Sequence, residues 1–324
     1  MVEKVFAYSL EPPLVEFEYL KRELGLIWVK LGEEELLAKL SDPSDGAKVI
    51  IVSDSILYER VVRASTPNSL IVVLLSDEVY SPHAYNLINN NDSISIVIRN
   101  YGFVPAPISL IVNELLRLTR VAGVDPRTHY YLCRTFARGI RTRIRMARWK
   151  TCNKEVEVLP LGYTSVFANY FSERLSIGPF ESLFQKHPSI HREREIPISF
   201  IGTKGQIQRQ LALRKLRKVP GAQVSVSESF NGVTGGEVGA PAYVEMLLKS
   251  VKVLCPPGYT NNESFRYYES LICGAIPEEE RISIAQLGLN SFRTNNGLNI
   301  EEKINLIDLQ LSKCRELIGE RIKP

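Results

Sequence analysis

Residues 251–255 form an apolar-leaning run that stops against Pro256, Pro257 and Gly258. A short apolar run bounded by breakers reads as a buried strand with an abrupt end. Thr260 and Glu263 follow at capping-box spacing, which predicts a helix start there. Phe265, Tyr268 and Ile272 recur at helical spacing and can face a core, while Arg266 and Glu269, three apart, share one side. Gly274 predicts the helix stop, and Pro277 blocks continuation. Strand, Gly/Pro turn and helix make the half-unit of an α/β sheet. In such sheets ligands sit at the carboxyl ends of strands, beside helix N-termini whose free N–H groups favour phosphate.

The rest of the chain repeats this alternation. Strands are predicted over 4–9, 25–31, 48–52, 69–75, 92–99 and 155–160. Helical spacing covers 14–24, 33–40 and 108–121. Gly162 lets the chain turn away, and a polar stretch over 172–194 with Pro179 and Pro188 reads as a linker. A second series follows, with strands at 196–202 and 222–226 and helices after 203 and over 242–250. Four glycines within 231–240 predict a loop, and 300–322 is amphipathic and helical. Strands alternating with helices argue for parallel, doubly wound sheets.

At 324 residues the chain is long enough for two domains and a sizeable core. Hydrophobic content of 44% and charged content of 23% are ordinary for a soluble globular protein, and a net charge of +4 does not demand nucleic acid. Five cysteines, at 133, 152, 255, 273 and 314, show no C-x-x-C spacing, so reduced thiols in a cytosolic setting are expected. The sequence shows no N-terminal apolar leader and no apolar run of about 18 residues. A cytoplasmic protein, peripheral at most to the inner face of a membrane, is the expectation.

Ser76-Asp77-Glu78 follows the most apolar strand of the first half, which puts two carboxylates at a strand's C-terminal end. A base that deprotonates an acceptor hydroxyl must be a carboxylate or His within hydrogen-bond reach, so Asp77, Glu78 and nearby His83 are candidates. The plain alternative is a loop Asp capping the next helix. Arg99 ends the 92–99 strand and can face the cleft to neutralise an anion, or make a surface ion pair. The stretch 134–150 carries six arginines, one lysine and no acid, with Phe136, Ile140, Ile144, Met146 and Ala147 interleaved. As a helix it suits an anionic membrane surface or polyanionic acceptor, with Arg141, Arg145 and Arg148 as contacts. A solvated face paired with acids elsewhere is the plain alternative, and few aromatics make nucleic acid a weaker partner. In the second half, Gly202 and Gly205 lie in a strand-to-helix turn that also holds Lys204 and is followed by Arg209. Such a turn can cradle a diphosphate, although it is neither a Walker motif nor a full G-x-G-x-x-G.

The stretch CPPGYTNNESFRYYESLICGAIP at 255–277 resembles the donor-site motif of exostosin-like glycosyltransferases, including the ribitol xylosyltransferase-like group. That motif runs C-P-x-G, S/T-F-R, two residues, E-A/S-L and G-x-I-P. Weaker pieces in family order are LLSDE at 74–78, IVIRNYG at 96–102, LPLGY at 159–163 and ISFIGTKGQIQRQ at 198–210. Past Pro277 the likeness fades, because Glu278 to Arg281 stand where the family continues with an apolar strand, here lost or shifted to 282–287.

The resemblance implies a GT-B architecture of two Rossmann-like domains facing a cleft. The layout is an acceptor domain over 1–165, a linker over 166–195, a donor domain over 196–300 and a final helix over 301–324. It implies an inverting, metal-independent transfer of sugar from a nucleotide sugar, UDP by likeness, to a hydroxyl of a glycan or lipid-linked glycan, as in surface polysaccharide synthesis. No cofactor is expected, and the absence of a D-x-D motif fits. Without a metal, the leaving diphosphate must be met by cations and helix N–H groups. Arg266 is the first choice and Arg209 the second, with Gly202, Lys204, Gly258 and Ser264 around them. Glu269 would accept both ribose hydroxyls, and Tyr259 would stack on the base. Two rivals stand beside this reading. One is a catalytically inactive two-lobed nucleotide or sugar-binding protein, and the other is an RNA-associated protein using 134–150.

Overall fold

Every residue of strands β3 (Lys48–Val52) and β4 (Leu70–Leu74) is buried, in a computed structural model that describes the chain apart from residues 1–4, 11–14, 43–46, 53–64, 66, 76–80, 101, 186–192, 204, 206, 228–238, 258–263, 280–282, 285–286, 291–297 and 323–324. Alternate residues point to opposite faces of a strand. Val49 and Ile51 accordingly enter one apolar cluster, and Ile50 and Val52 another. Burial on both faces is what helices covering a parallel sheet produce. The sheet runs β2 (Leu26–Lys30), β1 (Val5–Ser9), β3, β4, β5 (Ile94–Arg99), β7 (Glu155–Val158), all parallel. The order reverses between β1 and β3.

The second sheet runs β11 (Ile276–Glu279), β10 (Ser250–Cys255), β8 (Ile196–Thr203), β9 (Gln223–Ser227), again all parallel. Chain order and spatial order part company between β8 and β10. That is the switch point where two loops leave in opposite directions and open a crevice. Helix α7 (Ile207–Leu216) covers one face, with Leu213 and Leu216 against Ile198 and Phe200. Helices α8 (Ala240–Lys249) and α9 (Phe265–Ile272) cover the other through Val244, Leu247 and Tyr268. The chain is therefore an α/β protein with two parallel sheets in Rossmann-like order, one in each half.

The first half also holds α1 (Phe17–Leu24), α2 (Glu33–Ser41), α3 (Pro82–Asn89), α4 (Ile108–Ala122) and α5 (Pro126–Trp149). Helix α5 starts well before the basic run that predicts it. Asp125 caps it by accepting from Arg127 N–H at 3.1 Å, and Pro126 takes the first turn, where no N–H is needed. A short antiparallel pair, β6 (Phe103–Pro105) with β12 (Gly288–Asn290), ties the first half to the end of the second.

Two stretches differ from expectation. Residues Ser165–Leu175 form helix α6, where the sequence reading opens a linker. Thr164 caps it and Phe167 and Phe171 are buried, so its apolar side is in the core. The stretch expected to have lost or shifted its strand begins as one, and much of 280–286 lies outside the described residues. Ile276–Glu279 pairs in parallel with β10, so the G-x-I-P turn itself enters the sheet, and Pro277 is tolerated because β11 is at the sheet edge. Helix α10 (Ile300–Ile322) buries Ile304, Ile307, Leu311, Cys314 and Ile318 at three- and four-residue steps. It returns to the first sheet, where Gln310 Nε2 donates to Val158 O at 2.7 Å. The five cysteines are free thiols. Among the described residues no helix is long and apolar enough to cross a membrane.

Candidate functional site

Among the described residues, a concentration of unanswered charge lies at the C-terminal ends of β8 and β10. Phe200 and Gly202 are two apart on β8 and so share a face. The Arg266 guanidinium stacks over the Phe200 ring, 4.6 Å from its centroid. Its Nη2 occupies the space a Cβ on Gly202 would need, only 2.2 Å from that position. Gly202 also has φ +144°, a backbone conformation that side chains disfavour. The glycine therefore serves close approach by a cation. Gly202→Ala is expected to push the guanidinium off the Phe200 face, and the loss would read as weaker anion binding with a modest fall in Tm, about 1 kcal/mol of backbone strain.

Arg209, from the first turn of α7, bridges the two strand ends. Nη1 donates to Thr203 O at 3.1 Å and to Thr203 Oγ1 at 2.9 Å, and Nη2 donates to Pro257 O at 3.0 Å. The guanidinium straddles the switch point itself. Burial first, and repulsion from Arg266 second, pull its pKa down to about 9. Among the described residues no carboxylate offsets either effect.

Three polar groups here remain buried without partners among the described residues. They are Nε of Arg209, Nε and Nη1 of Arg266, and Oγ of Ser264. Ser264 is the N-cap of α9 yet makes no side-chain cap bond. The helix start is thus Ser264, not the Thr260 that the spacing suggests. Buried donors left unpaired are costly, so such a cluster is explained most economically by an anion that meets them. A carboxylate, sulfate or phosphate placed there would face two guanidiniums, a hydroxyl and the open N-terminal turn of α9.

Glu269 is placed differently from the expectation. It is 2% exposed. Oε1 accepts from Thr164 N–H at 3.0 Å and from Thr164 Oγ1 at 2.9 Å, and Oε2 accepts from Tyr243 O–H. Burial raises its pKa, and the bonds from Tyr243 and Thr164 and the charge of Arg266 only partly oppose that. The carboxylate therefore joins α9 to the cap of α6 and to α8. Its oxygens are spent inside the protein and are not offered to ribose hydroxyls. Nor does it form the alternative surface ion pair with Arg266, since the two turn to different neighbours.

Asp77, Glu78, Lys204, Gly258 and Tyr259 lie outside the described residues. His83 sits exposed in the first turn of α3, where its backbone N–H donates to Ser81 Oγ at 3.2 Å. Arg99 is only 2% exposed and stacks on the Trp149 ring at 4.5 Å. Its guanidinium is covered rather than on the surface. Arg141 and Arg148 are exposed and Arg145 is half-buried, all on α5.

Sequence reasoning missed Phe200, Thr164 and Tyr243. Strand alternation could have placed Phe200 beneath whatever covers Gly202. Thr164 and Tyr243 carry no local signal, because they meet Glu269 across 105 and 26 residues.

A second cavity, of about 390 Å³, opens between α4, α7 and the second sheet, with Ile198, Leu216 and Leu254 in its wall. Its buried Glu114 is already engaged by Arg117 at 2.7 and 2.5 Å and by Gln208 at 3.2 Å. The switch-point cluster is therefore the better site. No protein-family model and no curated protein matches the chain.

Proposed function

We propose that the chain is an inverting, metal-independent glycosyltransferase of GT-B type, moving a sugar from a UDP-sugar to a hydroxyl of a glycan or lipid-linked glycan. One observation carries this: Arg266 and Arg209 converge at the switch point of the second sheet, partly unpaired and with no carboxylate between them among the described residues. In this reading the departing diphosphate gathers charge as the glycosidic bond breaks. Fixed guanidiniums and α9 N–H groups meet that charge without reorganising. The acceptor hydroxyl gives up its proton to a base from the first half, with Asp77, Glu78 and His83 as candidates. The exostosin-like spacing of 255–277 supports the same assignment. The likeness differs at Glu269, which holds α9 in place and so positions Arg266 indirectly.

The test is incubation with a panel of UDP-sugars and mixed glycan acceptors, followed for release of UDP. Turnover with at least one donor is expected, and none with any donor would end the transferase reading. A binding protein is the second reading, favoured by the internal engagement of Glu269. It expects UDP to raise Tm without turnover. At ligand about 100 times Kd, either reading expects roughly 2.7 kcal/mol of added stability. A UDP-independent Tm would remove both.

A further inference from the structure

Helix α5 is 24 residues long and contains seven arginines and no acidic residue. Its inner side is fully used. Leu132 packs with Leu118, Leu211, Ile284 and Leu287, while Met146 and Trp149 pack on the first sheet. Gly139 allows the backbone of Ile284 to come close, since a Cβ there would lie 2.2 Å from its carbonyl oxygen. The helix is thus held from one side, and its other side is open to solvent.

That open side is divided lengthwise. At 100° per residue, Cys133, Ala137, Ile140 and Ile144 fall along one flank. Arg134, Arg141, Arg145 and Arg148 fall along the centre and the other flank. Ile140 is 42% exposed and Ile144 58%. These four arginines form no ion pair among the described residues. For these four, the plain alternative of pairing with acids is not met among the described residues. At its N-terminal end Tyr130 and Tyr131 are also exposed, and such amphipathic rings suit a headgroup layer.

We infer that the solvent face of α5 docks flat on an anionic lipid bilayer. The arginines meet headgroup charge while Ile140 and Ile144 enter the acyl boundary, and the long arginine stems can lie along the apolar strip with their heads in the headgroup layer. Charge alone would serve RNA equally well. The open isoleucine strip selects a bilayer, because burying apolar side chains gains nothing against a phosphate backbone. Helix α4, which shares the buried cluster with Leu132, leaves Ile108, Val112 and Leu116 open at four-residue spacing. This inference is independent of the transfer reaction, and it holds or fails whether or not UDP is released.

The test is cosedimentation of the full chain with phosphatidylcholine vesicles, with and without phosphatidylglycerol, at low and high salt. Binding is expected only with phosphatidylglycerol and is expected to fall with salt. Replacing Arg134, Arg141 and Arg148 by Glu should weaken partitioning at least ~100-fold, near one factor of five per arginine lost. I140D with I144D should weaken it at least ~10-fold at low salt. These positions are exposed, so Tm should not change in either variant. Equal binding to neutral vesicles, or no binding to either kind, overturns the inference. So does tight, salt-sensitive binding to polyuridylate that I140D/I144D leaves intact while vesicles fail to compete.

Discussion

Arg266→Ala is expected to cut UDP release from the best donor of the panel by at least ~100-fold, a loss of about 2.7 kcal/mol in transition-state stabilisation. The argument is one of geometry and of charge. The guanidinium stacks on Phe200, and its Nε and Nη1 are buried and unpaired among the described residues. Removing it takes away little that holds the fold, and it relieves a repulsion felt by Arg209. Tm should therefore move little while turnover collapses, and the UDP-induced rise in Tm should vanish with it. Arg266→Lys should recover only a small part, because an ammonium lacks the planar fork and stacks poorly on an aromatic ring. Steady-state kinetics beside thermal melts would check this. An unaltered rate in Arg266→Ala would remove the assignment of the donor site.

Glu269→Ala should do the reverse, with stability falling first. The substitution strands the Thr164 N–H, the Thr164 hydroxyl and the Tyr243 hydroxyl in a dry interior. Breaking a buried, hydrogen-bonded charge costs about 3–5 kcal/mol. A drop in Tm of roughly 5–10 °C follows for a chain this long. Glu269→Gln keeps a carbonyl acceptor for Thr164 and an amide that can donate to Tyr243, so it should be close to neutral.

The pH dependence has a definite sign. Burial raises the pKa of both Glu269 and Glu23 above the ordinary carboxylate value. Between the unfolded and the raised folded pKa, the folded chain holds more protons than the unfolded one. Stability therefore falls as pH rises across that window and is flat above it. Glu269→Gln should remove its share of that slope and leave the share of Glu23. Urea titrations at several pH values would show it. A slope unchanged by Glu269→Gln would mean the carboxylate is not buried as described.

The elements were legible because each depends on a short stretch of chain. Runs such as 48–52 and 69–75 can only be buried strands, and the repeated order of strand and helix predicts parallel sheets. The positions of Gly202 and Arg209 were also legible, since a strand-to-helix turn with glycine and following cations places both at a strand's carboxyl end. The basic run over 134–150 was legible as a helix. Its true start at Pro126 was overlooked although Asp125-Pro126 is a plain capping signal.

What failed, failed at distance. Three-residue spacing put Arg266 and Glu269 on one side of α9 and could say no more. A separation of about 60° around the helix axis was enough to turn one toward Phe200 on β8 and the other toward Thr164 on α6. Arg99 reads as a cleft cation from its strand end, yet the last turn of α5 folds over it and closes it off. From the chain alone came the two parallel sheets and the cations at a strand end, since backbone period and turn chemistry act over a few residues. Only the tertiary structure decided that Arg266 stays unpaired while Glu269 is consumed. Burial, and the partner each group meets there, is set by segments about 26 to 105 residues away in sequence.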